Sequence, residues 1–251
     1  MTFRSIDIKT IFEEDLFIHS YQIDKNSRLT LPGLCDLLQE IAWAHSASCH
    51  IGFDDLLKMN LFWVLSRLMI KVKRWPLWRE QCTLKTWSIG PDGAFARREF
   101  SLLDAKGEEI ITATSLWLII DAQTRRLQRI TNLNWNFPYF DQKVMDIQLE
   151  KLPDFSPDFI SEALPVQYSD LDVNQHVNNT RYIRRIIDSY DFDFLNTHEV
   201  KEFEINFMKE ARPGDQMKVE RQLSFPLSYY ATVRSDTQEF VRTRILWKDE
   251  E

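Results

Sequence analysis

Asp172, Asn174 and His176 stand two residues apart in the run Tyr168-Ser-Asp-Leu-Asp-Val-Asn-Gln-His-Val-Asn-Asn179. In an extended segment that spacing turns all three side chains to one face. A carboxylate, an amide and an imidazole on one face can orient a water and donate to a carbonyl oxygen. Asn178 and Asn179 follow where a helix is predicted to begin, and Asn is a good N-cap. Amides at that helix start would point beside His176 and add donors for a developing oxyanion. A polar loop before a helix is also the ordinary form of a turn with its cap, so the pattern alone fits either. The frame favours a site: an extended segment precedes the run, an apolar helix follows it, and so many polar groups are costly to bury without a task.

The elements that must hold this run come in two similar series. Ile11–Gln22 reads as strand. Leu34, Leu37, Leu38, Ile41 and His45 fall on one stripe, which predicts a helix over Leu34–His50. Strands are predicted over Leu61–Val72, Gln81–Gly90, Ala94–Leu103 and Glu109–Asp121, divided by turn residues such as Gly90-Pro91-Asp92-Gly93. Thr131–Pro157 carries Asn132, Asn134 and Asn136 and then three prolines with little periodicity, and it reads as a linker. The order then recurs in shorter form. Ala163–Ser169 reads as extended and Asn179–Tyr190 as helix, with Tyr182, Ile183, Ile186, Ile187 and Tyr190 on one face. Four strands follow: Glu199–Lys209, Gln216–Leu223, Tyr229–Ser235 and Val241–Trp247. A long helix wrapped by an antiparallel meander, occurring twice, is an α+β fold. Two such units can pair their sheets edge to edge, which leaves fewer open edges. The domains expected are residues 1–130, a linker 131–157, and 158–251.

The 251 residues allow one large domain or two small ones, and 44% are hydrophobic. The net charge of -7 argues against a general nucleic-acid binder. No apolar run reaches the length of a membrane span; Ser115–Ile120 stops at Asp121. The first seven residues lack the apolar core of a signal peptide. Cys35, Cys49 and Cys82 form no disulfide framework and show no paired zinc spacing. A cytoplasmic protein with reduced thiols, no structural metal and no cofactor is expected. His45 and His50 lie on the first helix without a polar constellation and read as structural. Taken by spacing alone, Glu210 is a solvated strand-end partner of Lys209 or Arg212.

Asp172-Val-Asn-Gln-His176-Val-Asn-Asn, followed by Tyr182-Ile183, resembles the active-site segment of plant and bacterial acyl-ACP thioesterases. The ending His-Val-Asn-Asn is shared with hotdog thioesterases in general. The first half adds specificity: Leu37-Leu38-Gln39-Glu40, Asn60–Arg67, Arg74-Trp75-Pro76-Leu77-Trp78, Ser115-Leu116-Trp117 and Thr124-Arg125-Arg126-Leu127 are similar to the same family. The resemblance runs from about Phe12 to Trp247.

It implies two fused hotdog domains, in agreement with the duplication, and hydrolysis of a fatty acyl thioester on acyl carrier protein. It places a catalytic carboxylate at Glu210, acting as general base on water or, less in keeping with the pattern, as nucleophile. Asp172, Asn174 and His176 are then the other catalytic residues and Asn178 a substrate contact. Where the plant proteins have a cysteine after that glutamate, this chain has Ala211. The resemblance puts the acyl tunnel in the first half, with Leu38, Ile41, Trp43 and Ala44 on the helix and Trp63, Leu65 and Trp117 on strands as its wall. Carrier protein is acidic, so docking on this acidic chain needs a local basic patch. Arg125 and Arg126, with Arg129, are candidates, as are Arg184 with Arg181 and Arg185, and the pair Arg97 and Arg98; each cluster reads equally well as a solvated face. The tandem chain supplies its own internal dimer, and a homodimer of whole chains stays open. An acyl-CoA hydrolase would use the same residues. A hotdog dehydratase would place its His and carboxylate differently, and a non-catalytic acyl-thioester sensor would need a further module.

Overall fold

Thr30 starts the first long helix: its side chain accepts from the Gly33 amide at 3.1 Å, and Pro32 sits in the first turn, where it needs no donor. A side chain at Gly33 would meet Gln22 O at 2.9 Å, so the close approach there needs glycine. The helix therefore runs Leu31–Ser48, three residues earlier than the periodicity predicts, because Pro32 and Gly33 belong inside its first turn. This computed structural model describes residues 10–133 and 137–249. The N-terminal seven residues, Asn134 and Asn136 lie outside the described residues.

In chain order the elements are β1 (Phe12–Phe17), α1 (Leu31–Ser48), α2 (Phe53–Lys58), β2 (Leu61–Val72), β3 (Gln81–Asp92), β4 (Phe95–Asp104), β5 (Glu109–Asp121) and β6 (Leu127–Gln128). The second half has β7 (Phe159–Ile160), β8 (Leu164–Pro165), α3 (Asn179–Ile187), α4 (Phe192–Thr197), β9 (His198–Phe207), β10 (Gln216–Phe225), β11 (Ser228–Arg234) and β12 (Glu239–Asp249). The main path of the sheet is β1-β3-β4-β5-β2-β9-β12-β11-β10-β7. Its middle is the antiparallel pair β2 and β9, where Arg67 faces Asn206 and Ile70 faces Phe203. The two units thus share one sheet, edge to edge, as the sequence pattern predicts.

Leu34, Leu38 and Ile41 of α1 and Tyr182, Ile183 and Ile186 of α3 are buried in one core with Ile70, Phe203, Ile205 and Val241 of the central strands. Each such aliphatic side chain contributes about 1.5–3 kcal/mol by leaving water. The linker is no loose tether. Arg97 donates to Met145 O and Ile147 O at 3.0 Å each, Leu152 N donates to Asn206 Oδ1 at 2.7 Å, and Arg242 Nη1 donates to Leu152 O at 3.1 Å. These bonds fasten it to strands of both halves, and Met145 and Leu149 pack on Met69 and Leu116.

Candidate active site

The Asp-x-Asn-x-His run is a closed turn and not an extended segment. Leu171 bridges Val177, Asp172 N donates to His176 O at 2.8 Å, and Gln175 takes a left-handed φ of 62°. Asp172 Oδ1 accepts from the amides of Asn174 at 2.8 Å and His176 at 3.2 Å. An Asx turn of this kind spends the carboxylate on the loop's own backbone. Asp172 therefore fixes where the next four residues point, while Asn174 stays exposed on the rim.

Asn178 caps α3: its Oδ1 accepts from Thr180 N and Thr180 Oγ1, both at 2.9 Å. The oxyanion donors expected near Val177 and Asn178 are occupied. Val177 N donates to Ala211 O at 3.0 Å and Asn178 N to Asp170 O at 2.8 Å. Burial makes backbone amides find partners, and these found local ones. Among the described residues the Asn179 amide is the one at this helix start with no such bond, and Asn179 lines the cavity.

Glu210 lies beyond the end of β9, and Val177 N→Ala211 O ties its segment to the loop. His176 Nε2 stands 3.4 Å from Glu210 Oε2; the side chains are 15% and 27% exposed. A water bridging the two would need about 5 Å, two hydrogen bonds of ~2.8 Å. The pair is therefore in direct contact, and a water must be held from the cavity side. Arg125, on the turn after β5, reaches Glu210 Oε2 with Nη2, and its guanidinium lies 5.1 Å from the Phe62 ring centre. Arg125, a docking candidate by sequence, is an ion-pair partner of Glu210 supplied by the first half of the chain.

Tyr182 is the residue that sequence reasoning missed here. Its hydroxyl accepts from Ala211 N at 2.8 Å from inside the core, and burial pushes its pKa up. A tyrosine on an apolar helix face signals such a partner, because a buried phenol needs one. Tyr182→Phe leaves the Ala211 amide unpaired, which costs about 1–3 kcal/mol. It also frees Glu210 to drift, and a misplacement near 1 Å can cost ~10²-fold. We expect a lower melting temperature and a turnover at least about tenfold down; unchanged turnover would remove Tyr182 from the positioning of Glu210.

The first half carries the same loop. Asp24 Oδ1 accepts from the amides of Asn26 at 2.8 Å and Arg28 at 3.0 Å, Asp24 N donates to Arg28 O at 2.9 Å, and Ser27 has φ 62°. Leu29 N donates to Pro76 O at 3.0 Å, as Val177 N does to Ala211 O. Arg28 thus holds the place of His176, and Trp75 that of Glu210. Trp75 is buried and donates to Val200 O, and Arg28 pairs with Glu199 at 3.1 Å. Pro76 has no amide hydrogen, and Leu34 accordingly stands where α3 has Tyr182. The signal, Asp-x-Asn-x-Arg against Asp-x-Asn-x-His, was present in the sequence.

His176, Glu210 and Arg125 open on a cavity of about 1230 Å³ that runs into the first half. Trp63, Leu65 and Trp117 line it, with Ala42, Trp43 and Ser46 of α1. Leu38 and Ile41 do not. They point into the core, and the helix presents the stripe Gln39, Ala42, Trp43 and Ser46, one turn apart, to the cavity. Arg97 and Arg98, read as a basic pair for docking, are 4% and 7% exposed and cannot meet a partner. Arg185 is tied to Asp170 at 2.9 Å, while Arg126 and Arg184 are exposed.

Residues 9–133 match the acyl-ACP thioesterase N-terminal domain and residues 156–249 the C-terminal domain of the same enzymes. The chain belongs to the acyl-ACP thioesterase family. It is 32% identical over 214 residues to a chloroplastic palmitoyl-acyl carrier protein thioesterase of Gossypium hirsutum, covering 80% of this chain and 52% of that one. Against the chloroplastic oleoyl-acyl carrier protein thioesterase 2 of Arabidopsis thaliana it is 29% identical over 233 residues, covering 81% and 60%. The chain thus spans between half and three-fifths of the length of these relatives. The structure of a 12:0-ACP thioesterase from Umbellularia californica aligns with a TM-score of 0.86 and 26% identity, over 96% of this chain and 98% of that one. An acyl-ACP thioesterase from Bacteroides thetaiotaomicron shares the fold, with a TM-score of 0.84 at 24% identity over 95% and 98%. The family's tandem hotdog architecture is the one built here by the shared sheet and its two helices.

Proposed function

We propose that the chain hydrolyses fatty acyl-[acyl carrier protein] to free fatty acid and carrier protein. The observation that carries this reading is the His176–Glu210 contact at the mouth of a deep cavity in a chain of this family. Glu210 takes a proton from water as the water oxygen attacks the thioester carbon. The Asn179 amide and the side chains of Asn174 and His176 donate to the oxyanion that forms. Collapse of that intermediate breaks the carbon–sulfur bond, and the proton held by Glu210 returns to the leaving thiolate through His176. Asp172 sets the loop and Asn178 the start of α3. Arg125 orients Glu210. The acyl chain lies along Trp63, Leu65 and Trp117, where each buried methylene contributes about 0.8 kcal/mol.

In this reading residues 1–130 supply most of the chain pocket and 158–251 the catalytic residues, with 131–157 joining them. His176, Glu210, Arg125 and the cavity wall all come from one chain. Cys35, Cys49 and Cys82 are free and buried, in keeping with work in a reducing compartment such as the cytoplasm. Among the described residues no helix is long and apolar enough to cross a membrane.

The test is a panel of acyl-ACPs of different chain lengths beside the matching acyl-CoAs. Hydrolysis of acyl-ACP at the higher kcat/KM supports the reading; preference for acyl-CoA reassigns the carrier. Arg126, Arg129 and Arg184 are exposed arginines left for carrier docking. Reversing Arg126 and Arg184 to Glu should raise KM for acyl-ACP at least about twofold, the scale of two exposed ion pairs at ~0.2–1 kcal/mol each. KM for a small acyl thioester should hold, and an equal rise on both substrates would place docking elsewhere.

A further inference from the structure

Arg98 is buried against α1, and among the described residues its hydrogen-bond partners are an imidazole and two hydroxyls. Its Nη1 donates to His45 Nδ1 at 2.9 Å and to Thr86 Oγ1 at 3.1 Å, and its Nη2 to Ser46 Oγ at 3.1 Å. A guanidinium only donates, so His45 Nδ1 must accept. His45 is held between the rings of Phe12 and Phe137, with centroids 5.6 and 5.4 Å away. Among the described residues no carboxylate pairs with Arg98. Burial lowers its pKa to about 10, which still leaves it charged at neutral pH. A buried charge without a counter-charge is costly.

Arg98 lines the cavity, with Ser46, Ser88 and Tyr139 beside it. A guanidinium has five N–H groups, of which the three bonds above use three. The other two, one on Nε and one on Nη2, make no bond among the described residues. Distance along the sheet sets how far this lies from the chemistry. Arg125 rests over Phe62; on β2 the level of Arg98 is Leu68, since Leu68 faces Ser115 and Ser115 faces Arg98. At about 3.3 Å per residue and ~4.8 Å per strand, the separation is roughly 15–20 Å. That is the span of a medium to long acyl chain, and the wall between is Trp63, Val64, Leu65 and Trp117.

We propose that Arg98 and Ser46 form a polar end-wall that takes an oxygen at the far end of the acyl chain, so that ω-oxygenated acyl thioesters are substrates. The proposal rests on the thioesterase reading. It assigns the first part of the cavity to methylenes and its end to a hydrogen-bond acceptor, either an ω-hydroxyl or an ω-carboxylate.

The experiment measures kcat/KM of the native chain on acyl-ACPs ending in methyl, ω-hydroxyl or ω-carboxylate, over a ladder of chain lengths, with Arg98→Met alongside. At the length that reaches Arg98, an oxygenated end should gain about ten- to hundredfold over methyl, the scale of a hydrogen bond to a charged group. The two oxygenated arms tell which acceptor is taken. In Arg98→Met the advantage should fall to near parity. Methyl-ended chains equal to or better than oxygenated ones at every length overturn the proposal, and that comparison needs no variant. A preference that survives in Arg98→Met overturns it as well. Failure to hydrolyse any acyl-ACP, methyl-ended or oxygenated, overturns the thioesterase reading instead.

Discussion

Glu210→Gln lowers kcat for acyl-ACP hydrolysis by about 10²–10⁴-fold, the contribution of a positioned base. Glutamine keeps the volume and still offers an oxygen to Arg125, but it cannot take a proton from water. The residue is more than a quarter exposed at the cavity mouth, and its partner Arg125 is 44% exposed. Losing such a pair costs no more than ~1 kcal/mol, so the melting temperature should move little. Turnover and melting are measured on the same preparation. A variant within about threefold of the native kcat means that Glu210 is not the base.

His176→Ala lowers kcat by about 10²–10³-fold, the effect of removing one donor to a developing oxyanion. The loop itself should survive. What holds it is Asp172 Oδ1, which grips the amides of residues 174 and 176 and ignores the imidazole. The variant should therefore keep its stability and its KM while losing rate. A rise in KM at constant kcat would instead mean that His176 binds substrate and transition state alike.

Much of the fold was legible because the hydrophobic period changes cleanly between strands and helices, twice over. Leu34, Leu38 and Ile41 announced α1, and Tyr182, Ile183 and Ile186 announced α3. The start of α1 was misplaced because Pro32-Gly33 reads as punctuation until Thr30 is seen capping it. The site was legible as residue types. Asp-x-Asn-x-His was readable by spacing, and Glu210 through family resemblance. Their geometry was not, since the period-two reading assumes an extended segment and Asp172 closes a turn instead. Contacts across distance left no local mark. Arg125 meets Glu210 from 85 residues away, and His45 meets Arg98 from 53 residues away. A charge pattern on a line of sequence cannot tell a buried arginine from a solvated one, which is why Arg97 and Arg98 looked like a docking pair. The repeated Asp24 loop was readable by spacing alone. It carries no chemical signature, because Arg28 and Trp75 replace the two residues that give the second copy its chemistry.

The double variant Glu210→Gln/His176→Ala tests the central claim most directly, through its kcat on saturating acyl-ACP beside the two single variants. Groups that act as one unit lose their effect together, so the double variant should be about as slow as the slower single. Losses that multiply in full would show two residues working apart and would contradict a site built on their contact.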